Sequence, residues 1–104
     1  MPMTLRQKQS KFVEMLARLI DFAVGHGYEL TLGESFDDDN IGHMKNSLHY
    51  IRLAQDFNLF INGVFQDTTE AHRPLGEYWE SIGGSWGGRW GDGNHYSLGH
   101  EGRK

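Results

Sequence analysis

The pair Asn62-Gly63 constrains this chain more than any other local feature. It follows the most apolar run of the sequence, LAQDFNLFI at 53–61, and precedes Val64, Phe65 and Gln66. Asn-Gly is the preferred pair for a type I′ turn, in which both central residues need φ > 0. The spacing therefore predicts two antiparallel strands, and a hairpin alone is not stable in water. The partners for its apolar face lie on either side. Upstream, residues 4 to about 25 form an amphipathic pattern, with Phe12, Met15, Leu16, Leu19, Ile20 and Ala23 on one stripe. Thr4 and Gln7 have capping-box spacing, and Gly25 and Gly27 stop the helix. Tyr28, Leu30 and Leu32 alternate with polar residues and predict a strand over 28–32. Downstream, a polar connection (67–73) and Pro74 lead into a short helix around 75–82, with Tyr78, Trp79 and Ile82 turned inward. A last short strand is expected at 95–98, then a polar tail. The expected fold is α+β: an N-terminal helix packed on a small antiparallel sheet, in a single domain spanning 1–104. No internal repeat or linker divides it.

The segment 83–93, GGSWGGRWGDG, holds six glycines and two tryptophans. A flexible linker would carry small polar residues there. Glycines beside large aromatics predict an ordered loop whose backbone approaches other groups closely. Ten Lys+Arg against fourteen Asp+Glu leave a net charge of −4, which argues against a general nucleic-acid binder. Cysteine is absent, so any metal must be held by His, Asp or Glu. No run approaches the ~20 apolar residues that cross a bilayer. The basic start (Arg6, Lys8, Lys11) runs into Glu14, Arg18 and Asp21, which a signal-peptide core would not tolerate well. Synthesis in a cytoplasm without a signal peptide, and no membrane partner, are the expectations.

Two local patterns carry chemistry. In Ser47-Leu48-His49 followed by Arg52 to Asp56, an imidazole precedes a carboxylate by seven residues; in Asp92-Gly93-Asn94-His95, an acid precedes an imidazole by three. A catalytic zinc takes three protein ligands and keeps its fourth position for water. It lowers the pKa of that water to about 7, and a carboxylate off the metal then moves protons. Asp56 sits among Leu53, Ala54, Phe57 and Leu59, where an ionised carboxylate is costly unless paired or metal-bound. A salt bridge to Arg52 would satisfy it too, and surface histidines remain the alternative to a metal site.

The pattern S-x-H-x6-D, followed by a tryptophan- and glycine-rich loop and D-x-x-H, resembles the zinc D-Ala-D-Ala carboxypeptidase and L-alanyl-D-glutamate peptidase family. Its members include bacteriophage endolysins, on the fold shared with Hedgehog signalling domains. The segments FVEMLARLIDFAVGHGYELTLGES, KNSLHYIRLAQDFNLF, LGEYWESIGG and WGGRWGDGNHYSL all read like its small phage branch. The resemblance implies zinc held by His49, Asp56 and His95, with Asp92 as the catalytic acid/base and Ser47 supporting the site. It implies hydrolysis of a peptide bond in peptidoglycan stem peptides, first as an L-alanyl-D-glutamate endopeptidase, with a D-alanyl-D-alanine-type carboxypeptidase as the alternative. A monomer acting on the cell wall after release from the host cytoplasm completes the expectation.

The chain departs from the family at Gly33-Glu34-Ser35-Phe36-Asp37, where Asp37 stands in place of an expected Arg that faces the substrate. Losing such a donor typically costs ~10²–10³ in turnover. Arg52 or Arg89 are the candidate replacements. A zinc-bound but catalytically weak cell-wall-binding or virion module is the alternative that this departure keeps open. Trp90 and Trp86 are either core plugs or walls of a substrate groove, and Trp79 reads as core. His26 reads as a helix cap, His43 as a surface residue six positions before His49 with a metal or substrate contact as its alternative, and His72 and His100 as solvated. The run 37–40 reads as a solvated turn and lacks the spaced ligands of a calcium loop.

Overall fold

The computed structural model describes residues 2–33 and 52–99. The first helix, α1 (Leu5–Gly25), opens with the expected capping box: Gln7 N–H donates to Thr4 Oγ1 at 3.1 Å, and Thr4 N–H donates to Gln7 Oε1 at 2.8 Å. Phe12, Met15, Leu19 and Ala23 are buried, and Leu16 packs at the edge of the core. Ile20, expected on the same stripe, is 40% exposed: the buried face is narrower than the apolar pattern. At the C-terminus the His26 ring lies 2.8 Å from the Phe22 carbonyl through Nδ1, which makes it the cap that the sequence suggested.

Strand β1 (Tyr28–Leu32) pairs antiparallel with β2 (Ala54–Ile61), from Tyr28↔Ile61 to Leu32↔Phe57. The hairpin continues from β2 into β3 (Val64–Gln66) through Asn62 (φ 53°) and Gly63 (φ 77°), the left-handed pair that a type I′ turn requires. A single 3-10 turn (Glu70–His72) leads into α2 (Arg73–Ser81). This helix starts two residues before the expected position, because Pro74 lies inside its first turn, where a missing N–H costs nothing. Then follow β4 (Ser85–Trp86), a 3-10 turn (Gly87–Trp90) and β5 (His95–Ser97). The strand order is β1-β2-β5-β4, with β3 also paired to β2.

The glycine-rich segment is ordered, as expected, and also contributes strand β4. Its tryptophans define its path. Trp79 and Trp86 are fully buried, and each indole N–H finds a carbonyl: Trp79 donates to Ser97 O at 2.9 Å and Trp86 to Gly93 O at 2.8 Å. Trp86 is thus core. A Cβ on Gly76 or Gly88 would overlap the Trp86 ring, so those glycines let α2 and the loop close on it. Phe57 and Tyr96 meet edge to face at 5.7 Å beneath the sheet, within the cluster that includes Leu19, Leu53 and Leu75. His72 corrects an expectation. It is 2% exposed, not solvated, because the turn that carries it folds under the sheet, and its Nδ1 lies 2.8 Å from the Tyr96 hydroxyl.

Candidate functional site

Asp56 and His95 are 39 positions apart in sequence and directly opposite in register, on the adjacent strands β2 and β5. Alternation along a strand sends Phe57 to the core and Asp56 to the opposite face. The two functional side chains are thereby set side by side. Their side chains are 16% and 7% exposed, and Asp56 Oδ1 stands 3.4 Å from His95 Nδ1. Charge-assisted N–H···O bonds run at about 2.7–2.9 Å, so this separation is too long for a good one. It is close to the ~3.3 Å edge of a tetrahedron with arms of 2.0–2.1 Å, the zinc–nitrogen and zinc–oxygen distances. A half-buried carboxylate and a buried imidazole at this spacing are a donor set that fits a divalent metal. Among the described residues no group of three His, Asp or Glu side chains assembles. The third expected ligand, His49, lies outside the described residues, as do Ser47, Asp37 and His43.

Asp92 reaches the site through its backbone. Its carbonyl accepts from the His95 N–H at 3.2 Å, and its own N–H donates to the Gly87 carbonyl at 2.9 Å. A Cβ on Gly87 would overlap the Asp92 carbonyl oxygen and lie 2.7 Å from His95 Cβ, so the loop can cross here only with glycine. Trp90 stands at 5.8 Å from His95, edge to face, and is 46% exposed. Of the two loop tryptophans it is the one that forms a wall of the site.

The two arginines considered for the substrate differ. Arg89 is engaged through Nε and Nη2 by the Glu80 carboxylate, at 2.8 and 2.6 Å, and lies over the Trp86 ring at 5.3 Å. That pair holds the loop to α2 and draws the Glu80 carboxyl below its ordinary range. Arg52 is exposed, immediately before Leu53 and β2, with φ 58°, a left-handed conformation seldom adopted by a non-glycine residue.

His72 is a functional candidate that sequence reasoning missed. It lines a cleft of about 190 Å³ together with Asp92, Gly93, Asn94 and Thr69. Burial holds its imidazole at a pKa of about 4, neutral at pH 7, and pushes the Tyr96 hydroxyl well above its usual value. Its neighbours Thr68, Thr69, Glu70 and Arg73 are polar, with only Ala71 between them, and nothing in this pattern signals burial.

A family model described as D-alanyl-D-alanine carboxypeptidase matches residues 41–98, more than half of the chain. The match spans both metal-ligand patterns and the glycine-rich loop between α2 and β5. No curated protein matches the chain.

Proposed function

Because the chain belongs to the D-alanyl-D-alanine carboxypeptidase family, and so to a family of peptidases, we propose that it is a zinc-dependent hydrolase of peptide bonds in peptidoglycan stem peptides. The observation that carries this is the Asp56–His95 pair at 3.4 Å, opposite in register and reached by the Asp92 loop. The preferred reaction is that of an L-alanyl-D-glutamate endopeptidase of the phage endolysin type, supported by the resemblance of the D-x-x-H and W-G-G-R-W segments. A carboxypeptidase acting at the peptide terminus is the second reading, favoured by the description of the matching family.

His49, Asp56 and His95 would hold the zinc. When bound, the ion supplies Lewis acidity toward a carbonyl oxygen and acidifies water. Asp92 takes the proton of the attacking water and returns it to the leaving amine, as a general base and then a general acid. His95 Nδ1 is the ring nitrogen on the Asp56 side and is the atom that would hold the ion together with the Asp56 carboxylate. Trp90 would flank the substrate on the His95 side. Arg52, exposed directly before β2, is the candidate positive group for an anionic substrate, while Arg89 pairs with Glu80.

The test is to incubate the protein with purified peptidoglycan, with zinc or with chelator, and to identify the released fragments by mass spectrometry. Zinc-dependent cuts between L-Ala and D-Glu support the endopeptidase, and loss of a terminal D-Ala supports the carboxypeptidase. A folded, zinc-loaded sample that releases nothing would overturn both in favour of a binding module.

A further inference from the structure

Strand β2 has one edge shared by two partners. On one side β1 covers Phe57 to Ile61; on the other, β5 pairs with Ala54 to Asp56 and β3 pairs with Leu59 to Ile61. β3 and β5 therefore lie end to end along the same edge. Between them, opposite Phe57 and Asn58, the sheet has a notch, closed at one end by the Phe57 N–H bond to Asn94 O at 3.0 Å. The cleft of about 190 Å³ occupies this notch. Asp67, directly after β3, lines it on one side; Asp92, shortly before β5, lines it on the other; the buried His72 lines it as well. None of its lining residues is Lys or Arg.

The notch has room for a single amino-acid side chain, and its polar lining offers acceptors: two carboxylates, the Asn58, Gln66 and Asn94 amides and the Thr68 and Thr69 hydroxyls. Such a site repels carboxylates and fits an ammonium group. It adjoins the residue proposed to move protons, so its occupant is a substrate residue close to the cut bond. Stem peptides of the lysine type carry one residue of this kind, the diamino acid that follows D-Glu. We propose that the notch is a substrate subsite for the ammonium-bearing side chain of that diamino acid, with Asp67 as its selecting charge. The proposal rests on the peptidoglycan reading above and adds to it a specificity for charge.

The probes are L-alanyl-γ-D-glutamyl-L-lysine amide and its Nε-acetyl derivative, offered to the zinc-loaded protein and to Asp67→Asn. Cleavage is followed by mass spectrometry, and binding by the NMR signals of Thr69 and His72. The expected result is a KM about tenfold lower for the free amine, a preference that Asp67→Asn erases, and shifts of both signals with the free amine alone. Cleavage with equal KM for both probes and unmoved signals would overturn the subsite and leave the peptidase standing. A preference that survives Asp67→Asn would overturn the assignment to Asp67. Shifts with the free amine but no cleavage would support the subsite and overturn the L-alanyl-D-glutamate endopeptidase reading. Neither shifts nor cleavage would overturn both.

Discussion

Asp92 and His95 are three residues apart, and substitution separates the roles proposed for them. Asp92→Asn keeps the shape and the backbone bonds to Gly87 and His95 but cannot take a proton. It is expected to lower turnover by about 10²–10⁴ while bound zinc, measured by elemental analysis of the folded protein, is unchanged. His95→Ala removes a ligand and is expected to abolish both. An Asp92→Asn protein as active as its parent would remove Asp92 from the proton-transfer role. His72 makes a prediction of another kind. Its folded pKa of about 4 lies below the ordinary 6.5, so between these values the unfolded chain binds a proton that the folded chain does not. Stability from this group is complete above pH 6.5 and declines as pH falls toward 4. Urea titrations at pH 7, 6, 5 and 4.5 are expected to show that decline, and His72→Gln, which does not titrate, to flatten it. Glu70 and Glu80, held low by Arg73 and Arg89, lose their contributions at still lower pH.

At the scale of elements, α1 is tied to the sheet by its buried face and started by its capping box. Thr4→Ala removes the Oγ1 acceptor and is expected to lower stability by about 1 kcal/mol. It leaves hydrolysis unchanged, because α1 contributes nothing to the Asp56–His95 pair; chemical denaturation and the peptidoglycan assay check the two halves of that expectation. β2 is the central element of the site. Its Phe57 points into the core while Asp56 faces His95, and its hairpin with β3 ends where the notch begins. A one-residue slip in its pairing would exchange the core and site faces, and the Asn62-Gly63 turn guards against that slip. Three glycines of the glycine-rich loop are packing positions: Gly84 lies against Trp79, Gly87 against His95 and Gly88 against Trp86, so a side chain there would push the loop off the core.

For the whole molecule, the proposed ligands come from β2, from β5 and from the segment that includes His49, so zinc would cross-link elements distant in sequence. A ligand held only by the folded state stabilises it by about 2.7 kcal/mol at a hundredfold excess over Kd. Chelator is therefore expected to lower Tm by roughly 10 °C or more for a domain of this size, measured by circular dichroism with and without added zinc. An unchanged Tm would contradict the ligand set. Much of this architecture was legible beforehand because its causes are local. The Thr4–Gln7 box, the helix stripe, the Asn62-Gly63 turn and the alternation in β1 each depend on neighbours a few residues apart. The paired order of D-x-x-H after H-x6-D was legible as well, through resemblance. Three things depended on contacts that no local pattern encodes. Ile20 is exposed because the sheet covers only part of the stripe. His72 is buried because the turn before α2 tucks under Tyr96. Asp56 meets His95 because two strands 39 positions apart adopt one register. The sequence by itself determined which segments become helix, strand and turn, since backbone preference and side-chain periodicity act over a few residues. Only the tertiary structure decided which carboxylate faces which imidazole and where the sheet leaves its notch, since both follow from how strand edges are shared between distant parts of the chain.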